Sequence, residues 1–407
     1  MLKRSVPPSL IPIAEARDLV LQAVVPPGPE TVSIDDALGR VLAVAVRATG
    51  NVPPFPCSAM DGYAVTDGPA DRTLAVVGES RAGTPSDHTL APGEAIRIST
   101  GAAVPPGATA VIPQEEVTVD GDDAIQTQAA VSPGQHVRLP GEDIRDGTTV
   151  LAAGTALGPV ELGAAVSAGV GSVGVAPRPR VAVLCTGDEL RAPGEPLGPG
   201  EIHNSNAAML TGLAAHAGAT VTPAERLPDD AAATRSGIDR ALSASDVVII
   251  TGGVSVGPHD HVKPALAALN VHEVFWSVAL QPGKPTWFGT LPDGTLVFGL
   301  PGNPVSAVVT FSLFVAPALA RLQGAPSPRP PRADALLGSE VRRNPRREQA
   351  VRVRLEDSSS GVLAFPNGPQ GSHILTSLLG ADALAMIPAG EGHLPVGTKV
   401  GLAALSA

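Results

Sequence analysis

Apolar residues recur at helical spacing in two short segments near the start of the chain. The first covers residues 13–25, and the second covers 33–42 and begins with Ser33, a favoured residue for capping a helix. Residues 160–168 show the same spacing farther along. Between them the pattern changes to short β-type runs separated by glycine and proline, which predicts a small β domain. These runs cover residues 74–77, 95–98, 110–112, 116–119 and 125–127.

A different pattern begins at Val181 and continues to about Gln323, where apolar runs of strand length alternate with amphipathic helices. The runs are rich in Val and Ile and do not alternate with polar residues, which is typical of a parallel sheet covered on both faces. The pattern therefore predicts a doubly wound α/β domain. Its strands are predicted at 181–186, 220–223, 246–253, 274–278 and 296–299, and its helices at 207–217, 231–243, from 262 and from 305.

Proline-rich linkers mark the borders of this domain, at residues 177–180 and 326–332. After the second linker, short β runs return and continue to the end of the chain. The sequence therefore predicts a multidomain α/β and β protein with four parts. They are a helical linker domain of residues 1–50 plus 141–176, a β-rich domain of 51–140, the α/β domain of 177–325 and a C-terminal β domain of 326–407.

Composition narrows the functional classes for this chain of 407 residues. Its net charge of -11 argues against a duplex nucleic-acid binder, which would carry a basic face. The two cysteines, Cys57 and Cys185, form no metal-binding or disulfide pattern. Prolines interrupt both the N-terminal segment and the uncharged stretch 294–320, so neither a signal peptide nor a membrane span is expected. A cytoplasmic protein fits these observations.

Ligands of doubly wound sheets bind beyond the carboxyl ends of the strands, and three loops there carry unusual residues. Glycine-rich turns and helix starts offer backbone N–H groups to an anion, and a lysine between prolines is held in a fixed place. These loops predict an oxyanion or phosphorylated ligand. The residues concerned are Gly252, Gly253, Ser255 and Gly257 after the third strand, Lys284 and Pro285 in QPGKP, and Pro301, Asn303 and Ser306 in PGNPVS.

Carboxylates accompany the same loops: Asp188 and Glu189, Asp229 and Asp230, and Asp260. Carboxylates beside phosphate-binding turns commonly hold Mg²⁺, so these five are candidate metal ligands. Alternatively, Asp229 or Asp230 caps the helix that follows. Asp61 in SAMDGYA precedes a glycine and could belong to an Asx-turn. Motifs of serine hydrolases, zinc proteases and P-loop ATPases are absent from the sequence.

Eight ordered motifs together resemble one family. They are SAMDGYA, ISTGAAVPPGATAVI, GEDI, TGDEL, IHNSN, TGGVSVGPHDHVK, PGKP and GLPGNPVSA. In this order they resemble the molybdopterin molybdenumtransferases, the MoeA type to which the E domain of gephyrin also belongs. The resemblance implies insertion of molybdate into adenylylated molybdopterin with release of AMP, assisted by Mg²⁺. It also implies a homodimer, with residues 1–50 plus 141–176 as the dimerisation domain, and as possible partners the molybdopterin adenylyltransferase and apo-molybdoenzymes.

The same resemblance assigns roles residue by residue. Those implied to be catalytic are Asp61, Thr100, Asp143, Glu189, Asp229, Asp260 and Lys284. Those implied to bind the pterin or molybdate are Gly252, Gly253, Ser255, Gly257, Pro285, Pro301, Asn303, Ser306, Arg352 and Ser372. Among the carboxylates, the metal is assigned to Asp229, Asp260 and Glu189.

Three positions depart from the family pattern. Gln281 stands where a lysine is usual, Pro258 replaces a frequent acidic residue, and Cys57 replaces Asp or Asn. These changes leave open a second hypothesis, a molybdopterin-binding paralogue, carrier or scaffold with weak or altered metal insertion. A third, a nucleotide-binding adenylyltransferase, rests on the α/β block alone and does not explain the flanking β domains.

Overall fold

The computed structural model describes residues 10–121, 123–253, 260–359 and 361–406. The chain divides into two compact units, each with its own core. The finer division into four domains stays a prediction. One unit comprises Met1–Glu30, Gly39–Ala43 and Val175–Ala407, and the other comprises Thr31–Leu38 and Val44–Gly174.

The first unit contains the predicted doubly wound α/β sheet. Its strands run parallel except for Trp287–Thr290, which is antiparallel to both of its neighbours. The sequence did not predict that strand, because its residues follow directly on a proline-rich loop. Across the sheet the strands lie in the order Thr220–Val221, Arg180–Thr186, Val247–Thr251, Leu296–Leu300, Trp287–Thr290 and His272–Trp276, and Glu225–Leu227 also pairs with Arg180–Thr186.

Both faces of this sheet are buried, as the unalternating apolar runs predict. Val183 and Ile249 face one hydrophobic core, whereas their neighbours Leu184 and Ile250 face another. Because successive side chains of a strand point to opposite faces, a sheet covered on both sides needs apolar residues at every position. The helices of this unit are Ile13–Ala23, Ser205–His216, Ala231–Ala244, Val262–Ala268, Pro304–Thr310 and Ala316–Leu322, with a π-helical turn at Phe311–Val315 and a 3₁₀ turn at Leu375–Leu378.

The π turn explains how proline is accommodated within one continuous helix, Pro304–Leu322. Pro317 has no N–H and its ring would clash with a carbonyl of the preceding turn, and a wider turn relieves both problems. Within the described residues this helix is the one that is long and apolar enough to span a membrane. Of its most apolar window, 94% is buried inside the protein, which is typical of a core helix.

The C-terminal part of this unit is a closed five-stranded β barrel. Glu348–Ser358 pairs with both Gly361–Pro366 and Ala383–Ile387, which closes the ring. Leu280–Gln281, from the loop of the α/β domain that carries Lys284, pairs with the start of the same long strand. The other strands of this unit are Asp334–Leu337 and Lys399–Ala404 of the barrel, the pair Val341–Arg342 with His393–Leu394, and the pair Leu190–Arg191 with Ile202–His203.

The second unit contains a six-stranded sheet in which all five predicted β runs are confirmed. They are joined by Gly62–Val65, which begins within SAMDGYA, where a turn was one interpretation of the sequence. In order, the strands are Ala110–Pro113, Gly62–Val65, Glu94–Ile98, Thr73–Ser80, Ala124–Thr127 and Val117–Asp120. Its other elements are Val46–Arg47, Cys57–Ser58, Val137–Arg138, Thr149–Leu151, the helix Pro159–Ser167 and a 3₁₀ turn at Gln114–Glu116. Glu30–Ser33 and Ser172–Val175 lie where the chain passes between the units.

The predicted helix over residues 33–42 is wrong in length. Ser33 does cap a helical turn, since its hydroxyl accepts a hydrogen bond from the Asp36 N–H at 3.3 Å. Only one 3₁₀ turn, Ile34–Asp36, forms. Gly39 then adopts a φ of 73°, a left-handed conformation that ends helices. The glycine outweighs the helical spacing of the apolar residues around it.

Candidate functional site

A cleft of about 760 Å³ opens at the carboxyl ends of three parallel strands in the first unit. These strands end at Thr186, Thr251 and Leu300. The site therefore lies where the doubly wound topology predicts a ligand. Its described lining consists of Thr186, Glu189, Leu190, Ile202, His203, Asn204, Ser205, Asn206, Thr251, Gly252, Gly253, Pro285, Pro301, Gly302, Asn303, Pro304, His373 and Leu375.

Gly252 and Gly253 form one wall of the cleft, and the space around them admits no side chain. Both have positive φ, 85° and 61°. A Cβ on Gly252 would lie 2.6 Å from Thr186 Oγ1 and 2.9 Å from its carbonyl oxygen. A Cβ on Gly253 would lie 2.7 Å from Val262 Cγ2. These residues must be glycine for the strand end to turn this closely beside its neighbour.

Replacing Gly252 with alanine should lower the free energy of unfolding by about 2 to 4 kcal/mol, from left-handed strain and overpacking. Equilibrium urea unfolding measures this change. Gly302→Ala is the matched control in the same cleft, because among the described residues a Cβ there would meet only the Cα of Gly252, at 3.8 Å. Equal stability of the two variants would contradict the steric argument.

Asn206 is a site residue that the sequence analysis did not single out. It lies in the first turn of the helix Ser205–His216, and its side-chain amide donates to Thr251 Oγ1 at 3.0 Å and to the Gly302 carbonyl at 2.8 Å. Thr251 in turn donates to the Pro301 carbonyl at 3.1 Å. Asn206 therefore ties two ligand loops together. The motif IHNSN was the signal for it, since that motif places Asn206 directly before an apolar helix.

The loop before Pro304 meets a loop from the C-terminal barrel. Asn303 Nδ2 donates to Ser372 Oγ at 2.9 Å, and the Val305 N–H donates to the Ser372 carbonyl at 3.1 Å. Two residues assigned separately from the sequence are thus in contact. His373 lies beside them in the cleft wall. Ser306 is buried within the first turn of the helix, behind the lining.

Arg352 supports this barrel loop from behind and is not among the described lining residues. Only 1% of it is exposed. Its guanidinium donates to Ser377 Oγ and to the carbonyls of Pro369 and Gly371, at 3.2 to 3.3 Å. Burial lowers the pKa of Arg352 to about 10, which still leaves the side chain protonated at neutral pH. A buried cation therefore lies beneath the loop that presents Ser372.

The carboxylates of the first unit have different surroundings. Glu189 is exposed and lines the cleft. Both carboxylate oxygens of Asp260 are shielded from solvent, and Oδ1 would lie 3.7 Å from a Cβ on Gly253. Asp230 caps the helix Ala231–Ala244, accepting from the Ala233 N–H at 2.8 Å, which confirms the capping alternative for this residue. Asp229 does not cap the helix.

The candidate metal ligands among the described residues do not form a metal site. Asp229 is exposed, and its N–H donates to Asp188 Oδ1 at 3.3 Å. In the part of the chain that the structure describes, His, Cys, Asp and Glu side chains form no group of three that could hold a metal ion. The assignment of Mg²⁺ to Glu189, Asp229 and Asp260 therefore stays a prediction.

The loop that carries Lys284 reaches the cleft through Pro285. Lys284 is exposed, and no ion pair is found for it among the described residues. Gln281, which replaces the usual lysine, accepts from Asn344 Nδ2 at 2.5 Å through its Oε1. The substitution therefore exchanges a positive charge for a neutral side chain held by a hydrogen bond.

In the second unit, Asp61 and Thr100 form a pair that joins two motifs. Asp61 Oδ1 accepts from the Thr100 N–H at 2.6 Å and from its hydroxyl at 2.9 Å. These two hydrogen bonds, the first being the stronger influence, lower the pKa of Asp61. Asp61 is thus a link between SAMDGYA and the TGA loop, 39 residues away, and not a local Asx-turn residue.

Asp143, the other predicted acid of the second unit, lies in a separate pocket. This pocket has a volume of about 440 Å³ and is lined also by Cys57 and Arg138. Cys57 and Cys185 are both free and buried. Of the other predicted residues, Ser255 and Gly257 lie outside the described residues, as does Pro258.

Comparison with known proteins covers nearly the whole chain. Residues 11–169 match the family model of the MoeA N-terminal region (domain I and II). Residues 182–321 match a probable molybdopterin binding domain, and residues 334–405 match the MoeA C-terminal region (domain IV). The three matches follow one another in the order in which the sequence motifs occur.

Individual relatives show the same likeness. Molybdopterin molybdenumtransferase 2 of Mycobacterium tuberculosis is 39% identical over 384 residues, covering 91% of this chain and 94% of the relative. Molybdopterin molybdenumtransferase of Haemophilus influenzae is 35% identical, covering 96% and 98%. The crystal structure of a molybdopterin biosynthesis MoeA protein from Pyrococcus horikoshii has a TM-score of 0.82 at 32% identity, covering 98% of this chain and 99% of that one.

The multidomain α/β and β architecture is therefore confirmed, both by the elements themselves and by this likeness. The ordered motifs, the cleft at the strand ends and the close relatives over the full length agree with one another. This chain belongs to the MoeA family of molybdopterin molybdenumtransferases.

Proposed function

We propose that this protein is a transferase of molybdenum cofactor biosynthesis that inserts molybdate into adenylylated molybdopterin and releases AMP. One observation carries the proposal: glycine-rich strand ends and the Ser372 loop, backed by the buried cation of Arg352, converge on one cleft. Compact hydrogen-bond donors and a nearby positive charge suit a tetrahedral oxyanion such as molybdate.

The residues around the cleft act by holding and orienting the two substrates. Asn206 fixes the Thr251 and Gly302 loops, and Asn303 fixes Ser372, so the donors keep one arrangement before ligand arrives. Bringing oxyanion and dithiolene into contact makes their reaction effectively unimolecular, which can lower a barrier by roughly 7 to 11 kcal/mol at best. A covalent intermediate with the protein is not needed for this.

The proposal is tested by incubating the purified protein with adenylylated molybdopterin, MgCl₂ and molybdate. We expect AMP release together with activation of an apo-molybdoenzyme, and we expect both to be lost without molybdate or without protein. The predicted need for Mg²⁺ is tested in the same assay by adding EDTA. Tight binding of the pterin without AMP release would overturn the proposal and favour the carrier or paralogue hypothesis.

Replacing Gln281 with lysine should strengthen molybdate binding. The new charge would lie on the loop that also carries Lys284, and one exposed charge within several Å contributes about 1 kcal/mol, equivalent to a roughly fivefold lower KM for molybdate. Steady-state AMP release at varied molybdate measures this. Gln281→Met is the control, because it removes the hydrogen bond to Asn344 without adding charge. A KM that falls equally in both variants would contradict the electrostatic argument.

We further propose that the protein acts in the cytoplasm as a homodimer. The support for the homodimer is the resemblance of the motifs to a family of dimers. The support for the cytoplasm is that both cysteines are free, which suits a reducing compartment. Light scattering should give twice the chain mass of 40.9 kDa. The proposed protein partners are the molybdopterin adenylyltransferase and apo-molybdoenzymes, and pull-down with purified proteins tests each one.

A further inference from the structure

A cation–π contact joins the start of the helix Val262–Ala268 to the end of the strand His272–Trp276. Lys263 Nζ is 3.1 Å from the centre of the Trp276 ring. Trp276 is paired across antiparallel strands with Trp287, whose indole N–H donates to Glu273 Oε2 at 2.5 Å. We call these four residues, Lys263, Trp276, Trp287 and Glu273, the lysine clamp. They include both tryptophans of the chain.

At one end of the lysine clamp, Lys263 lies close to Asp260 in the sequence. Lys263 lies in the first turn of the helix Val262–Ala268, three residues after Asp260. The negative charges of Asp260 and Glu273 both act on its ammonium group. Burial lowers the pKa of Lys263, and these two carboxylates oppose that shift. Lys263 is therefore a partly desolvated cation, and desolvation strengthens a cation–π contact.

The other end of the lysine clamp closes the base of the loop that carries Lys284. The strand that ends at Trp276 leads into this loop, and the strand that begins at Trp287 leaves it. Just inside this base the Ser277 N–H donates to the Thr286 carbonyl at 2.9 Å, and the Val278 N–H donates to the Lys284 carbonyl at 3.0 Å. The clamp is thus the base from which Lys284 and Pro285 are presented.

We propose that Lys263 is a positioning residue that holds the Asp260 segment and the Lys284 loop at one fixed spacing through its contact with Trp276. The inference rests on the proposed function, because both segments belong to the proposed substrate site. An apolar side chain at position 263 would keep the helix but remove the cation that joins its start to the tryptophan pair. The two ligand-binding segments would then move independently, and ligand binding would have to order them.

The kinetic test compares Lys263→Met, Lys263→Arg and Lys399→Met. Lys399 is an exposed lysine paired with Asp334 in the barrel, which makes it the matched control. We expect Lys263→Met to raise the KM for adenylylated molybdopterin roughly 10-fold, with a smaller change in kcat, and we expect arginine to restore it to within about threefold. Wild-type KM in Lys263→Met, or an arginine variant as impaired as the methionine variant, would overturn the proposal.

A second measurement needs no turnover. Hydrogen exchange of ligand-free protein reports the Ser277 and Val278 amides at the base of the Lys284 loop, and tryptophan emission reports the clamp itself. We expect faster exchange at these amides and altered emission in Lys263→Met, and neither change in Lys399→Met. Unchanged exchange in Lys263→Met would overturn the inference. If the wild-type protein lacked transfer while these differences held, the proposed function would fail and the positioning role of Lys263 would stand.

Discussion

Replacing Asp260 with alanine should lower the rate of molybdenum cofactor formation by at least about 100-fold, the size typical of losing one preorganised electrostatic group in an active site. Asp260 combines three features that a surface carboxylate lacks. Its oxygens are shielded from solvent, it follows the glycine-rich turn, and Oδ1 lies close to Gly253 in the cleft wall. A carboxylate in such a place acts strongly on a hydrogen-bond donor or cation bound beside it, because little water screens it.

The measurement is AMP release together with reconstitution of an apo-molybdoenzyme. Asp260→Asn keeps the shape and removes the charge, so it should lose nearly as much activity as the alanine variant. Asp239→Ala, on the exposed side of a helix of the same unit, is the control and should retain full activity. Thermal unfolding checks that all three variants are folded. Full activity of a folded Asp260→Ala variant would reject the assigned role.

Replacing Arg352 with methionine should impair both stability and the use of molybdate. The change leaves Ser377 Oγ and the carbonyls of Pro369 and Gly371 without their donor, which costs about 1 to 3 kcal/mol for each buried group that water does not reach. The Ser372 loop would lose its support, and the positive charge beneath it would disappear. We expect the KM for molybdate to rise at least about 100-fold, since a buried charge interaction is commonly worth 2 to 5 kcal/mol.

Two further variants separate charge from packing at this position. Arg352→Lys keeps the charge, but its compact ammonium group does not reproduce the planar spacing of the guanidinium Nε and Nη2 donors. It should therefore bind molybdate better than the methionine variant while being similarly unstable. Arg354→Met is the control on the same strand, because 57% of the Arg354 side chain is exposed. If Arg352→Met were destabilised with an unchanged KM for molybdate, Arg352 would support the loop only, and its implied role toward molybdate would be rejected.

Several elements followed from local pattern alone. The α/β strands are runs of Val and Ile because both faces of the sheet are covered, and the spacing of apolar residues located the helices Ala231–Ala244 and Pro159–Ser167 nearly to the residue. Topology then required the cleft to lie beyond the carboxyl ends of the strands. These inferences succeed because burial on a regular element leaves a periodic trace in the sequence.

The sequence patterns did not predict some other elements, because the same residues carried signals for two different conformations. Gly62–Val65 reads as a turn next to Asp61, yet it is a central strand whose four residues are all buried. In the segment after Ser33, a single left-handed glycine ended a helix that the apolar spacing favoured. In the first place the conformation depends on the strands that pack on both sides of the segment, and a local pattern does not contain that information. In the second place two local signals compete, and the pattern does not say which of them prevails.

The sequence by itself determined the family, the fold class and the chemical character of the loops. This was possible because the order of the motifs and the spacing of apolar residues are properties of the linear sequence. Only the tertiary structure decided which side chains meet. Asn303 and Ser372 are 69 residues apart and share a hydrogen bond, and Arg352 proved to lie beneath the cleft wall. Lys263 stacks on Trp276 because the helix Val262–Ala268 folds back on the strand that follows it. Contacts of this kind arise from the packing of separate elements against one another, so residue type and spacing do not reveal them.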